Sequence, residues 1–339
     1  MVVLKDMDTY LKGDIDDEGN HSGEDDHGNF ITLLPQETIQ RTRDFYKEVN
    51  FPVYADPPAD IRPSVIEALA AMGTDWQERF SLLYVKAFPE YEGWTIEQMF
   101  ECELQQMEFV RREYPQALLR LFEGMSGKAG ISAVAELFFG MRVAACDIKY
   151  GNDMNILTGE GLRLWRMNGR LVGDDCDQWI APTCCSWIWA ANYQSGRTAE
   201  NMDGDVGKAF VVDANTTKDI VIGLVLMNHL ANVRFTIEQP MSSKMFKHRN
   251  YQALVNYTGA KRTLVWHGAY DNGSAKPFQL FSTSTGISSL ARPMPEKGDR
   301  GEALMSKDAD GNWFGKRRRL SRSAHYSPIF GFAVAESLG

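Results

Sequence analysis

The chain has 339 residues, 44% hydrophobic and 24% charged, an ordinary globular composition that supports a sizeable core and excludes fibrous and low-complexity classes. Its net charge of −9 sits at one end: residues 1–30 hold nine acids against Lys5 and Lys12, leaving about −2 for the rest, so the body is neither polyacidic nor polybasic. The longest apolar run, Ile220 to Met227, falls far short of the roughly 20 residues that span a bilayer, and five unequally spaced cysteines read as reduced thiols of a soluble intracellular protein.

In chain order, residues 1–29 are expected to be a disordered acidic tail, because Gly, Asp, Glu, Asn and His dominate 13–29 and leave little to bury. His21 and His27 among these carboxylates read as solvated, and no metal site is expected. Residues 30–115 form a helical extension. "PSVIEALAAMG" (63–73) opens on Pro and closes on Gly, and "TIEQMFECELQQMEFVRREYP" (95–115) starts with a capping box, Thr95 to Glu97/Gln98, and stops at Pro115.

From 116 to 290 strands and helices alternate. "ALLRLF" (117–122) reads as a strand, "ISAVAELFF" (131–139) as a helix and "RVAACDI" (142–148) as a strand. "QWIAP" (178–182), a helix at 217–231, a strand "RFTIEQP" (234–240) and a strand pair around 262–270 and 278–283 follow. That alternation implies an α/β core, a Rossmann-like, mostly parallel sheet with helices on both faces. Residues 291–339 make a basic C-terminal segment containing Lys316, Arg317, Arg318 and Arg319.

Between the first strand and its helix lies "LFEGMSGKAGIS" (121–132), with Gly124, Gly127 and Gly130. Glycines let a backbone approach a ligand closely, and Asp147, 24 residues after Glu123, closes the next strand where it can accept ribose hydroxyls. A purely structural turn is the alternative. The loop lacks G-x-G-x-x-G, which suits S-adenosylmethionine better than a dinucleotide, and Glu123 would favour a sulfonium over a phosphate. "APTCCSW" (181–187) offers a thiol at a strand end, a nucleophile if its pKa is lowered and otherwise a small buried hydrophobe. "IEQP" (237–240) brings Glu238 out of the next strand.

Taken in order, "LFEGMSGKAGIS", "RVAACDI", "APTCCSW", "TIEQP", "HGAYDNGSAKPFQLF" and "YSPIFGFAVAESL" resemble the motifs of the cytosine-5 DNA methyltransferases, as a divergent dinoflagellate or algal type. The resemblance covers about 117–285 and 325–338. It implies a class I S-adenosylmethionine-dependent fold with Phe122, Glu123, Gly124, Gly127, Asp147, Asp153 and Pro182 around the cofactor. Cys184 would be the nucleophile that adds to cytosine C6, and Glu238 the carboxylate that holds N3. Thr183 replaces a Pro, Gln239-Pro240 stand where the family has Asn-Val, and its Gln-x-Arg-x-Arg strand becomes "SAKPFQLF" with Lys276 alone. Lys244, Arg249, Lys276, Lys316, Arg317 and Arg318 would contact nucleic acid, DNA before RNA, in a nuclear or cytoplasmic protein whose N-terminal helices serve a protein complex. A retired methyltransferase fold acting as a scaffold is the competing class, and a methyltransferase for a protein or small molecule is a third.

Overall fold

Six strands make one sheet: β1 (Leu119–Gly124), β2 (Val143–Cys146), β3 (Val172–Ile180), β4 (Arg234–Pro240), β5 (Lys261–Trp266) and β6 (Pro277–Ser282). They lie in the order β2-β1-β3-β4-β6-β5, with β6 antiparallel to both neighbours and every other pairing within the sheet's first four strands parallel. The computed structural model describes residues 28–188, 191–270, 276–293 and 326–338, with two isolated ladders, Asp14–Ile15 on His21–Ser22 and Met305–Lys307 on Trp313–Gly315. The rest of the acidic tail and the basic run from Lys316 lie outside the described residues.

From β1 the chain turns outward to β2, then crosses back to lay β3 on the opposite side of β1. That reversal is a topological switch point, and the carboxyl ends of β1 and β3 bound the crevice in which open α/β sheets receive ligands.

Side chains alternate between the two faces, as strand geometry requires. Leu121, Val143, Trp179, Phe278 and Leu280 enter one cluster with α5 (Gly130–Phe139) and a C-terminal helix, Pro328–Leu338. Phe122, Ala144, Ile180, Phe235 and Ile237 enter the larger cluster on the other face. There the sheet meets α2 (Pro63–Met72), α3 (Thr74–Ala87), α4 (Ile96–Glu113), α6 (Gly159–Arg170), α7 (Ala209–Leu230) and α8 (Arg249–Thr258). The helical N-terminal segment therefore shares the main core. Its longest helix starts as expected: Thr95 Oγ1 accepts from Gln98 N, and Gln98 Oε1 accepts from Thr95 N.

A buried ion cluster joins these helices. Glu103 on α4 accepts from Arg166 Nε at 2.7 Å and Arg170 Nε at 2.8 Å on α6, and from Tyr91 Oη at 3.0 Å. Burial alone would raise this carboxyl, but Arg170 and Arg166 hold it well below the usual carboxylate range.

The first helix, α1 (Gly28–Phe45), lies along the outer side of β2. There Ala145 N donates to Thr42 Oγ1 at 3.0 Å, and Asn168 Nδ2 donates to Thr42 O at 3.1 Å. Among the described residues no helix is long and apolar enough to cross a membrane.

A candidate active site at the switch point

Three loops leave the carboxyl ends of β1, β3 and β4 and enclose a cleft of about 220 Å³. Met125, Ser126 and Gly127 come from the glycine loop, Ala181 to Cys185 from the loop after β3, and Glu238 and Pro240 from the end of β4. His267, Lys276 and Tyr326 complete the lining. The sequence-derived pair Cys184 and Glu238 thus meets in one cavity, beside the glycine loop and Lys276.

Local backbone chemistry explains the loop's shape. Met125, Gly127 and Ala129 all have positive φ, near 53°, 57° and 52°, so the chain coils tightly between β1 and α5. Asp147, at the end of β2, clamps the coil: its Oδ2 accepts from Gly127 N at 2.9 Å and its Oδ1 from Lys149 N at 2.8 Å. Ser126 is buried against the cleft, and its Oγ has no partner. Gly124 is required by packing, because a Cβ there would meet Trp165 of α6 at 2.4 Å.

Other members of the cofactor set are engaged within the protein. Phe122 lies in the core, edge-on to Trp165 at 5.6 Å. The Glu123 carboxylate turns to the N-terminus of α5 and accepts from Ser132 N at 2.7 Å, while burial pushes it up to about 7. Backbone N–H groups at a helix start are natural partners for a carboxylate. Asp153 accepts from Arg43 Nε of α1 at 2.6 Å, and that bond holds its carboxyl below the usual range. It sits in the short turn Asn152–Met154, with only the turn Ile148–Tyr150 between that and Asp147.

The Cys184 loop is braced from behind. Gln239 Nε2 donates to Pro182 O, and Ser243 Oγ donates to Gln239 Oε1 at 2.9 Å, so Gln239 supports the loop. Arg197, buried, lies 3.4 Å above the Trp187 ring and donates from Nε to Ser186 O at 3.0 Å. His248 meets the same ring edge-on at 6.0 Å and is held by Asp203 and Lys218. Nothing in "SGRT" marks Arg197 as such a brace; only the fold brings it to Trp187.

Burial at the cleft opposes the resting thiolate. Burial pushes the Cys184 thiol up to about 11; Lys276 pulls it down, and Glu238 pushes it further up. Burial also raises Glu238, against Lys276 and a hydrogen bond from Tyr326. These directions predict opposite effects for two substitutions. With the exposed Cys185 changed to Ser, the remaining cysteines other than Cys184 are buried, so iodoacetamide reports on Cys184. At pH 8 we expect Glu238→Gln, which removes the carboxylate charge, to speed alkylation and Lys276→Met to slow it. Coincident rates in all three proteins would refute this electrostatic arrangement.

The expected nucleic-acid contacts divide. Lys276 lines the cleft, but Lys244 Nζ donates to Arg197 O at 2.6 Å and Arg249 pairs with Asp75 at 2.8 Å. Lys316, Arg317 and Arg318 lie outside the described residues. Among the described residues no group of His, Cys, Asp and Glu is arranged to hold a metal ion. No protein-family model matches the chain, and no curated protein matches it.

Proposed function

We propose that the chain is an S-adenosylmethionine-dependent methyltransferase that acts on cytosine C5 in nucleic acid through Cys184. The observation that carries the reading is the shared cleft of Cys184, Glu238 and Lys276 against the glycine loop. The residues also fit the cofactor. The unpartnered Ser126 Oγ faces the cleft, and Asp147 is only partly buried, with each carboxylate oxygen accepting one backbone N–H and retaining capacity for another donor. Ser126 and Gly127 would hold the amino-acid end, Asp147 the ribose hydroxyls and Pro182 the face of the group. When bound, it supplies an electrophilic methyl group. The cleft, about 220 Å³, is smaller than the roughly 300–1,000 Å³ of drug-sized ligand sites, so admitting cofactor and base together requires the three loops to part.

The chain's own groups account for activation of that base. Burial shifts Glu238 toward its protonated form, and it is in that form that it donates a hydrogen bond to cytosine N3. A neutral Glu238 no longer opposes ionisation of Cys184, and the Lys276 ammonium favours the thiolate. The thiolate sulfur bonds C6, which gives C5 enamine character; after methylation, loss of the C5 proton breaks the S–C6 bond. The base must leave a duplex to enter, at a cost of a few kcal/mol that single strands avoid.

A second reading, a fold that keeps the cleft without the chemistry, draws on one contact: Arg43 already holds Asp153, the acid that the resemblance assigns to the adenine amino group. Calorimetric titration with S-adenosylmethionine and S-adenosylhomocysteine tests the cofactor. Wild type is expected to bind both, and Asp147→Asn to bind about 1–3 kcal/mol more weakly, as for loss of a charged hydrogen-bond acceptor. Absence of heat with either compound would remove the cofactor from the proposal.

A further inference from the structure

Glu238 is the end of a buried hydrogen-bond chain that begins on a neighbouring strand. Trp179 of β3, 1% exposed, donates from Nε1 to Tyr326 Oη at 3.2 Å. Tyr326 Oη in turn lies 3.3 Å from Glu238 Oε2. An indole N–H is a donor only, and a phenol has one hydrogen to give. With its oxygen accepting from Trp179, the Tyr326 hydroxyl directs that hydrogen to Glu238 Oε2. Oε2 is therefore an acceptor, and a proton on the carboxyl belongs on Oε1.

The ring that carries this hydroxyl is fixed on several sides. Tyr326 packs edge-on to Trp179 at 5.9 Å and against Phe330 at 5.1 Å. The next residue, Ser327, donates from Oγ to Tyr270 O. The titratable groups acting on Glu238 and Tyr326 are Lys276, Cys184 and Glu123.

We infer that Tyr326 is a positioning residue which, with Trp179, holds Glu238 Oε2 as an acceptor, so that the protonated carboxyl presents its O–H at Oε1 and selects a heterocycle presenting an acceptor there over one presenting a donor. The choice of ligand rests on the methyltransferase reading, in which cytosine, whose N3 accepts, is selected over uracil, whose N3–H donates. The geometry of the chain itself does not depend on that reading.

Two measurements separate these levels. In protein labelled with ¹³C at the glutamate carboxyl, Glu238→Gln identifies the Glu238 resonance in a pH titration. Loss of the donor in Tyr326→Phe is expected to move the Glu238 midpoint upward. Trp179→Phe, which frees the hydroxyl to rotate, should move it in the same direction by less. An unchanged midpoint in Tyr326→Phe overturns the inference. In the second measurement, single-stranded oligonucleotides identical except for one cytosine or uracil are titrated into wild type and Tyr326→Phe, each at a pH below its own Glu238 midpoint. Wild type is expected to prefer cytosine by tenfold or more, and Tyr326→Phe to lose most of that preference. Equal preference in the two proteins overturns the selection. If neither oligonucleotide binds, the cytosine reading and the selection fall together, while the carboxyl titration still decides the role of Tyr326.

Discussion

Glu103→Ala is expected to destabilise the protein by about 3–5 kcal/mol, the usual consequence of removing one partner from a buried ion cluster. Arg166 is fully buried and Arg170 nearly so, and Glu103 is the carboxylate that answers both. Without it two neighbouring guanidiniums of α6 face α4 across a dry interface with no carboxylate between them. The loss approaches half the total stability of many domains. Its pH dependence has a definite sign. Glu103 is depressed in the folded state, so its contribution is complete above the ordinary glutamate pKa of about 4.3 and fades as acid protonates it. Urea unfolding at pH 7 and pH 3 measures this: the gap between wild type and variant should be wide at pH 7 and narrower at pH 3. A gap under about 1 kcal/mol at pH 7, the range of exposed ion pairs, would mean that the cluster is hydrated.

A covalent trap gives the other large effect. If Cys184 adds to C6, an oligonucleotide with 5-fluorocytosine cannot release a proton from C5 after methylation, and the S–C6 bond persists. Wild type incubated with it and S-adenosylmethionine should yield a species of higher mass on a denaturing gel. Cys184→Ser should abolish the species, and Cys185→Ser, which alters an exposed neighbour, should leave it intact. Retention of the adduct in Cys184→Ser would reassign the nucleophile. If no single- or double-stranded substrate traps a wild-type protein that binds the cofactor, the non-catalytic or non-cytosine reading prevails.

Much of the sheet was legible because strands β1, β2, β4 and β6 carry compact apolar runs between Gly, Pro or Asp. The expected strand at 234–240 coincides with β4, and the expected helix at 131–139 begins one residue late relative to α5. α6 was hidden by its glycines. Gly161 looks like a breaker, yet a Cβ there would meet Asn155 O, so tertiary crowding places it inside a helix. The expected strand at 178–182 is only the end of β3, which begins at Val172 with the polar "VGDDC"; within it Asp177 is paired with Arg234 on β4 at 2.7 Å.

The site was legible in the same uneven way. Cys184, Glu238 and Lys276 share a cleft because Cys184 follows the end of β3, Glu238 lies near the end of β4 and Lys276 immediately precedes the antiparallel β6, positions that periodicity can indicate. Phe122, Glu123 and Asp153 are drawn to Trp165, the α5 terminus and Arg43, partners remote in sequence or from segments whose packing no motif encodes. Tyr326 stands 88 residues from Glu238, and only the return of the last helix brings them together.

The roof that α1 forms over β2 has a consequence for assembly. A sheet has two free margins, and an unguarded one recruits strands from other chains. Here Thr42 occupies the outward N–H of Ala145, so a foreign strand finds that hydrogen-bonding group already taken. The opposite margin, β5, exposes Lys261 and Arg262, whose charge discourages edge-to-edge growth. Among the described residues both margins are thus guarded against strand addition, and a truncation that removes α1 is expected to leave β2 open to it.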